Sequence, residues 1–183
     1  MASARKFHQW IGATAAALCL LAAIVAGVQA QEAHAAEWRT ASDAELKAVI
    51  PARAPVVTER IETEMTSASG ITNGHGQFVA GVVLITAGYS AEGKYSHFFV
   101  TQVPLKIGNS LSLPAGEYVI GYDHSENGLM VHFYEAATGK PVGSVLATRI
   151  PGSTRVEQIR VWPPATHALI QIGRFGFSYQ IGG

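Results

Sequence analysis

Phe78-Val79-Ala80-Gly81-Val82-Val83-Leu84-Ile85-Thr86-Ala87 decides the reading of this chain. The run is apolar at odd and even positions alike. That pattern belongs to a strand covered on both faces. Outward from it the text stays β. Residues 91–94 (Ala-Glu-Gly-Lys) read as a turn, residues 95–103 as a strand, and Pro104 as a bend or an edge. Residues 117–123 and 129–135 flank Asn127-Gly128, the strongest hairpin signal, since a type I′ turn requires positive φ at both central positions. Gly139-Lys140-Pro141 is a further turn before a strand at 142–149. Strands at 155–162, 167–172 and 175–181 follow, with Phe175, Phe177, Tyr179 and Ile181 inward on a period of two.

Upstream the β text weakens. Ser42-Asp43-Ala44-Glu45 is a capping box, and Leu46, Val49 and Ile50 supply a short apolar face, so a helix is expected over residues 43–50, stopped by Pro51. Val56, Val57, Thr58, Ile61 and Thr63 favour a strand. Residues 67–77, all Ser, Gly, Asn, His and other small or polar types apart from Ile71, read as a loop. The expected fold is mostly β: one antiparallel sandwich or small barrel of about eight strands with one short N-terminal helix. The expected divisions are a signal peptide at 1–30, a lead-in with the helix at 31–54, and the β domain at 55–183.

The first thirty residues have the three parts of a secretory signal. Arg5 and Lys6 are the positive start, residues 11–28 carry no charge, and Val28-Gln29-Ala30 offers a cleavage site, with Ala33-His34-Ala35 as a second. The alternative is an uncleaved membrane anchor, so membrane contact is expected only through this segment. The expected location is outside the cytoplasm, periplasmic or extracellular. Cys19, the only cysteine, lies inside the signal, which leaves residues 31–183 without disulfide, thiolate metal site or cysteine nucleophile. Those residues hold 13 acidic and 11 basic groups, a balance that gives no electrostatic case for nucleic acid. The excess of acid in residues 31–64 reads as a solvated surface, with no Asp-rich loop for calcium.

Leu113-Pro114-Ala115-Gly116-Glu117-Tyr118, the hairpin after it and Gly139-Lys140-Pro141-Val142-Gly143 resemble strand-leading segments of secreted bacterial β-sandwich proteins of uncharacterised families. The resemblance spans residues 113–143. It implies a fold and carries over no catalytic residue.

Nucleophile elbows, zinc-protease helices and phosphate loops are absent from the sequence. Histidine is the one enrichment. If Tyr118, Ile120 and Tyr122 face inward with Val131 and Phe133, then Asp123, His132 and Tyr134 share the other face. Asp123 beside His132 is a candidate general base, or else an ordinary cross-strand polar pair. His97, His124, His132 and His167 are candidate metal ligands, although no two have ligand spacing. Trp38, Tyr89, Tyr95 and Trp162 are candidates for an aromatic shelf that stacks on sugar, or for core caps. No cofactor is expected. The sequence supports an exported, non-catalytic binding or structural β domain whose partner is a carbohydrate or an envelope protein. The alternative is a hydrolase or metal-dependent enzyme on the His/Asp face.

Overall fold

The structure, a computed structural model, describes residues 38–152 and 155–182. The signal-peptide reading and both cleavage sites lie outside the described residues. Among the described residues no helix is long and apolar enough to cross a membrane.

In chain order the elements are β1 (Arg39–Thr40), α1 (Asp43–Val49), β2 (Arg53–Val56), β3 (Glu59–Thr72), β4 (Phe78–Leu84) and β5 (His97–Thr101). Then come β6 (Leu105–Ile107), β7 (Leu111–Leu113), β8 (Gly116–Ser125), β9 (Gly128–Glu135), β10 (Pro141–Arg149), β11 (Glu157–Val161), β12 (Leu169–Gly173) and β13 (Phe175–Ile181). Ten strands lie on one antiparallel path, β1-β3-β4-β5-β8-β9-β10-β13-β12-β11, with β2 added to β3 and β6 joining β13 to β7. The result is a nearly closed, barrel-like sheet of more than ten strands, where about eight were expected. The count was low because β1, β2, β6 and β7 are two to four residues long, too short for a period to register.

Residues 67–77 were expected as a loop, yet β3 runs through to Thr72. Ladder pairing shifts between Glu64–Val83 and Ser69–Gly81, so β3 advances five residues while β4 advances two. This large bulge is held by side chains in place of ladder bonds. Ser67 Oγ donates to the Glu64 carbonyl (2.7 Å) and accepts from the Val83 N–H (2.9 Å). Small hydroxyl residues look like loop text because they supply these local bonds.

The sheet is buried twice over where β3, β4 and β5 run. Val79, Phe99, Ile120, Phe133 and Phe177 fill the barrel interior. Phe99–Phe133 and Phe133–Phe177 meet edge to face at 6.0 Å between ring centroids. Ala80, Val82, Phe98 and Val119 point the other way, into a second core closed by Leu46 and Ile50 of the helix segment, Val56 and Tyr95. The uninterrupted apolar run of β4 follows from these two covers. Helix α1 has its expected cap: Ser42 accepts from the Glu45 N–H, and Glu45 reaches back to the Ser42 N–H. The Leu-Pro-Ala-Gly-Glu-Tyr segment has a structural reason too, since the Tyr118 hydroxyl donates back to the Pro114 carbonyl at 2.7 Å.

β11 comes to rest against the inner face of β3 and β4, across the barrel. An added Cβ on Gly81 would stand 2.5 Å from Ile159 Cδ1, so glycine is what lets the strand approach. The Val161 N–H donates to Ser69 Oγ at 3.1 Å across the same seam.

The β8–β9 hairpin is present, but its two-residue loop is Glu126-Asn127, closed by Ser125 opposite Gly128. The expected Asn127-Gly128 turn is therefore displaced by one residue. Neither loop residue has positive φ. Gly128 does, at 148°, and the Ala147 carbonyl passes through the place its Cβ would take, so only glycine fits here. The faces survive the displacement. Tyr118, Ile120, Val131 and Phe133 are buried inside, and Asp123 and His132 lie on the opposite face. Tyr122, expected in the core, is 39% exposed, since β5 pairs with β8 only as far as Ile120 and leaves that edge of Tyr122 uncovered.

Gly128→Ala is expected to destabilise by more than the roughly 1–2 kcal/mol of left-handed strain alone, because the Ala147 carbonyl must also move. Phe133→Ala is expected to cost about 3–5 kcal/mol through the cavity it leaves. Urea unfolding of both variants measures this, and a neutral Gly128→Ala would refute the displaced turn. Val57, in the β2–β3 turn, holds φ at 56°. Val57→Gly should raise the unfolding free energy by about 1 kcal/mol, since it relieves a β-branched residue of left-handed strain.

Candidate functional site

Strands β1 and β2 run in the same direction along one edge of β3. β1 pairs with its far end, Arg39 opposite Thr72, and β2 with its near end, Arg53 opposite Glu62. Between them residues 41–52 leave the edge, form α1 and return. The last backbone bonds on either side are Ala41 N–H to the Gly70 carbonyl (2.9 Å) and Thr63 N–H to the Ala52 carbonyl (3.0 Å). Among the described residues no strand pairs with that edge over residues 64–69, which is the bulge.

A groove of about 470 Å3 opens beside this gap. The bulge forms one wall, with Thr66, Ser67, Ala68 and Ser69. The end of β1 and the first half of α1 contribute Thr40, Asp43 and Leu46. The third wall is the lead into β11, with Arg155, Val156, Glu157, Gln158, Ile159 and Arg160. An adjoining cavity of about 200 Å3 shares Asp43, Leu46, Thr66 and Ala68 and extends to Lys47 and Met65. The two together lie lengthwise along the β3 edge. Hydroxyls, an amide and charges of both signs surround an apolar floor. Arg155 pairs with Glu157 at 3.0 Å, and the Arg160 guanidinium lies 4.6 Å over the Trp162 ring. Glu64 accepts from the Thr66 hydroxyl and N–H, which hold its carboxyl below the usual range.

The residues singled out by sequence are elsewhere. His132 Nε2 and Asp123 Oδ2 are 3.1 Å apart, so the pair exists. It sits on the open outer face of β8 and β9, with the Asp123 side chain 83% exposed, and neither residue lines the groove. His97 is buried at the seam. Its Nε2 lies 3.1 Å from the Gln158 carbonyl and its Nδ1 2.8 Å from Ser96 Oγ. A carbonyl can only accept, so Nε2 carries the proton and Nδ1 accepts from the serine. Both nitrogens are thereby occupied. His124 stands edge-on to Tyr122, and His167 edge-on to Trp162 at 5.6 Å. The four histidines are not brought together, and among the described residues no cluster of three metal-ligating side chains exists.

The four aromatic candidates do not share a shelf. Trp38 is buried in the barrel interior and Tyr95 in the outer core, on opposite sides of the sheet. Tyr89 donates its hydroxyl to Glu62, and Trp162 donates Nε1 to Gln171. The acidic N-terminal stretch is likewise spent locally. Arg39 chelates Glu45 and holds its carboxyl at about 2, with help from Ser42. Glu59 accepts from Ser90, and Glu62 also faces Arg53.

The groove escaped the sequence reading because its walls stand about ninety residues apart in the chain. Its only local signal is Thr66-Ser67-Ala68-Ser69-Gly70. Comparison with known protein families, with curated proteins and with solved structures finds no match for this chain.

His97 makes the seam sensitive to acid. Burial pushes its pKa down to about 4, partly offset by the Gln158 carbonyl. Above the ordinary value near 6.5, folded and unfolded chains both hold it neutral and stability is full. As pH falls from there to about 4, only the unfolded chain takes up the proton, so up to roughly 3 kcal/mol is lost. His97→Gln should flatten this part of the stability profile relative to wild type. Urea midpoints at pH 7, 5.5 and 4 measure the difference, and parallel profiles would refute it.

Proposed function

We propose that this chain is an exported, non-catalytic binding domain of the cell envelope or extracellular space, and that its ligand site is the groove between α1, the β3 bulge and β11. The observation that carries the reading is the groove's make-up: a concave slot of about 470 Å3 walled by hydroxyl, amide and balanced charged groups, with no histidine among them. A carbohydrate or a segment of an envelope protein suits such walls, since neither demands a strong field of one sign. The competing hydrolase reading rests on Asp123–His132, which lies on a face where the Asp123 side chain is 83% exposed and water screens the pair.

Nitrophenyl esters, glycosides and phosphates separate the two. The wild type and His132→Ala are expected to be equally inert, and turnover that disappears in His132→Ala would overturn the binding reading. Expressed in a bacterium with its own leader, the protein should be recovered outside the cytoplasm with Gln31 or a close neighbour as its new N-terminus. Recovery with Met1 or Ala2 intact would overturn export by cleavage.

A further inference from the structure

We propose that His97 and Ser96 form a proton switch inside the seam between β5 and β11: in acid the imidazole takes up a proton while the barrel stays closed, and the Ser96 hydroxyl reverses from donating to His97 to accepting from it. The inference goes beyond the reading of the groove as the ligand site and stands without it.

Counting hydrogens carries the argument. Nε2 faces the Gln158 carbonyl at 3.1 Å, so it bears a proton in either state. Ser96 Oγ lies 2.8 Å from Nδ1 and 3.1 Å from the Ile120 carbonyl, with one hydrogen to serve both contacts. While the ring is neutral the hydroxyl gives that hydrogen to Nδ1, and its approach to Ile120 holds no hydrogen bond. Once the ring is protonated, Nδ1–H donates to Oγ, and the hydroxyl turns its hydrogen to the Ile120 carbonyl. That carbonyl has two lone pairs, so it also keeps the Ser96 N–H at 2.8 Å. All three contacts are then hydrogen bonds. One proton from solvent joins Nδ1, and no covalent bond within the protein breaks. A hydroxyl is the side-chain group that donates in one state and accepts in the other without leaving its place.

The surroundings agree. From β8 the titratable Tyr122 ring faces His97, 6.3 Å away between centroids, β4 sets Val83 beside it, and β11 supplies the Gln158 carbonyl. No charged side chain contributes to its titration, which burial lowers and the Gln158 carbonyl partly restores. A charge-assisted bond to Ser96 acts in the same direction as the carbonyl. Ser96 and Tyr122 are both partly exposed, so a proton has a short path from solvent to the buried ring. Gln158 also lines the groove. The charge therefore arrives behind that wall, and acid changes the field there without moving the strand.

The test follows the ring nitrogens of His97 by nitrogen NMR of the exported protein from about pH 7 down to about pH 3.5, with His97→Gln to assign the signal. The Val161 amide, which donates to Ser69 Oγ across the same seam, reports whether β11 stays docked. Both ring nitrogens are expected to become protonated while the Val161 amide keeps its folded shift. Ser96→Ala is expected to take up the proton about half a pH unit or more lower than wild type, and Ser96→Thr, which keeps the hydroxyl, to restore the wild-type midpoint. Ser96→Cys, whose thiol is a poor acceptor, serves with the same expected lowering if Ser96→Ala does not fold. A ring that stays neutral until the protein unfolds would overturn the switch. So would loss of the folded Val161 signal in step with proton uptake, or a midpoint that removal of the hydroxyl leaves unchanged or raises.

Discussion

The packing of β11 onto the inner face of β3, β4 and β5 is the contact on which the rest of this fold depends. Without it the sheet is an open ribbon with one apolar face in water. Three small features make it possible. Gly81 lacks the Cβ that would strike Ile159, His97 reaches across to the Gln158 carbonyl, and Ser69 takes the Val161 N–H. No ladder joins β11 to β3, so closure rests on packing and side-chain bonds. The apolar share is the larger. Each fully buried Phe or Ile in the interior is worth about 1.5–3 kcal/mol, against roughly 1 kcal/mol for a hydrogen bond.

Closure by packing also explains why a groove exists. A laddered seam would bring β3 and β11 within about 5 Å along their whole length. Here the bulge swings residues 64–69 out of register, and α1 departs from the same edge, so the seam is tight at Ser69 and open beside it. The turn carrying Tyr95 covers the outer face of β9 only at Tyr134, 5.2 Å away between ring centroids, and leaves His132 and Asp123 beyond it. That is why Asp123 and His132 stand in water while the residues two strands away are buried on both sides.

Much of the architecture was legible along the chain. The capping box located α1, the two-faced apolar run located β4, and strict alternation located β13. Each of these signals is local: the residues that carry it also form the bonds or the face. The hairpin was legible to within one residue, since an Asn-Gly pair marks where positive φ is needed without saying which glycine neighbour forms the loop. The β3 bulge was misread because its hydroxyl side chains bond the backbone in the way loop residues do. The candidate site was hardly legible at all. Histidines and aromatics stood out by chemical type, but type does not report burial, and Trp38, Tyr95 and His97 are core residues.

By itself the sequence determined the β class, the helix with its cap, the alternation of faces in the hairpin and the absence of thiol chemistry beyond Cys19. These depend on neighbours in the chain, and periodicity, cap geometry and composition record them. Tertiary structure decided which strand edges meet, where the sheet closes, and that α1 leaves a gap between two strands sharing one edge. Such outcomes depend on contacts between residues as far apart as Ser69 and Val161, and no local pattern in either segment encodes the other.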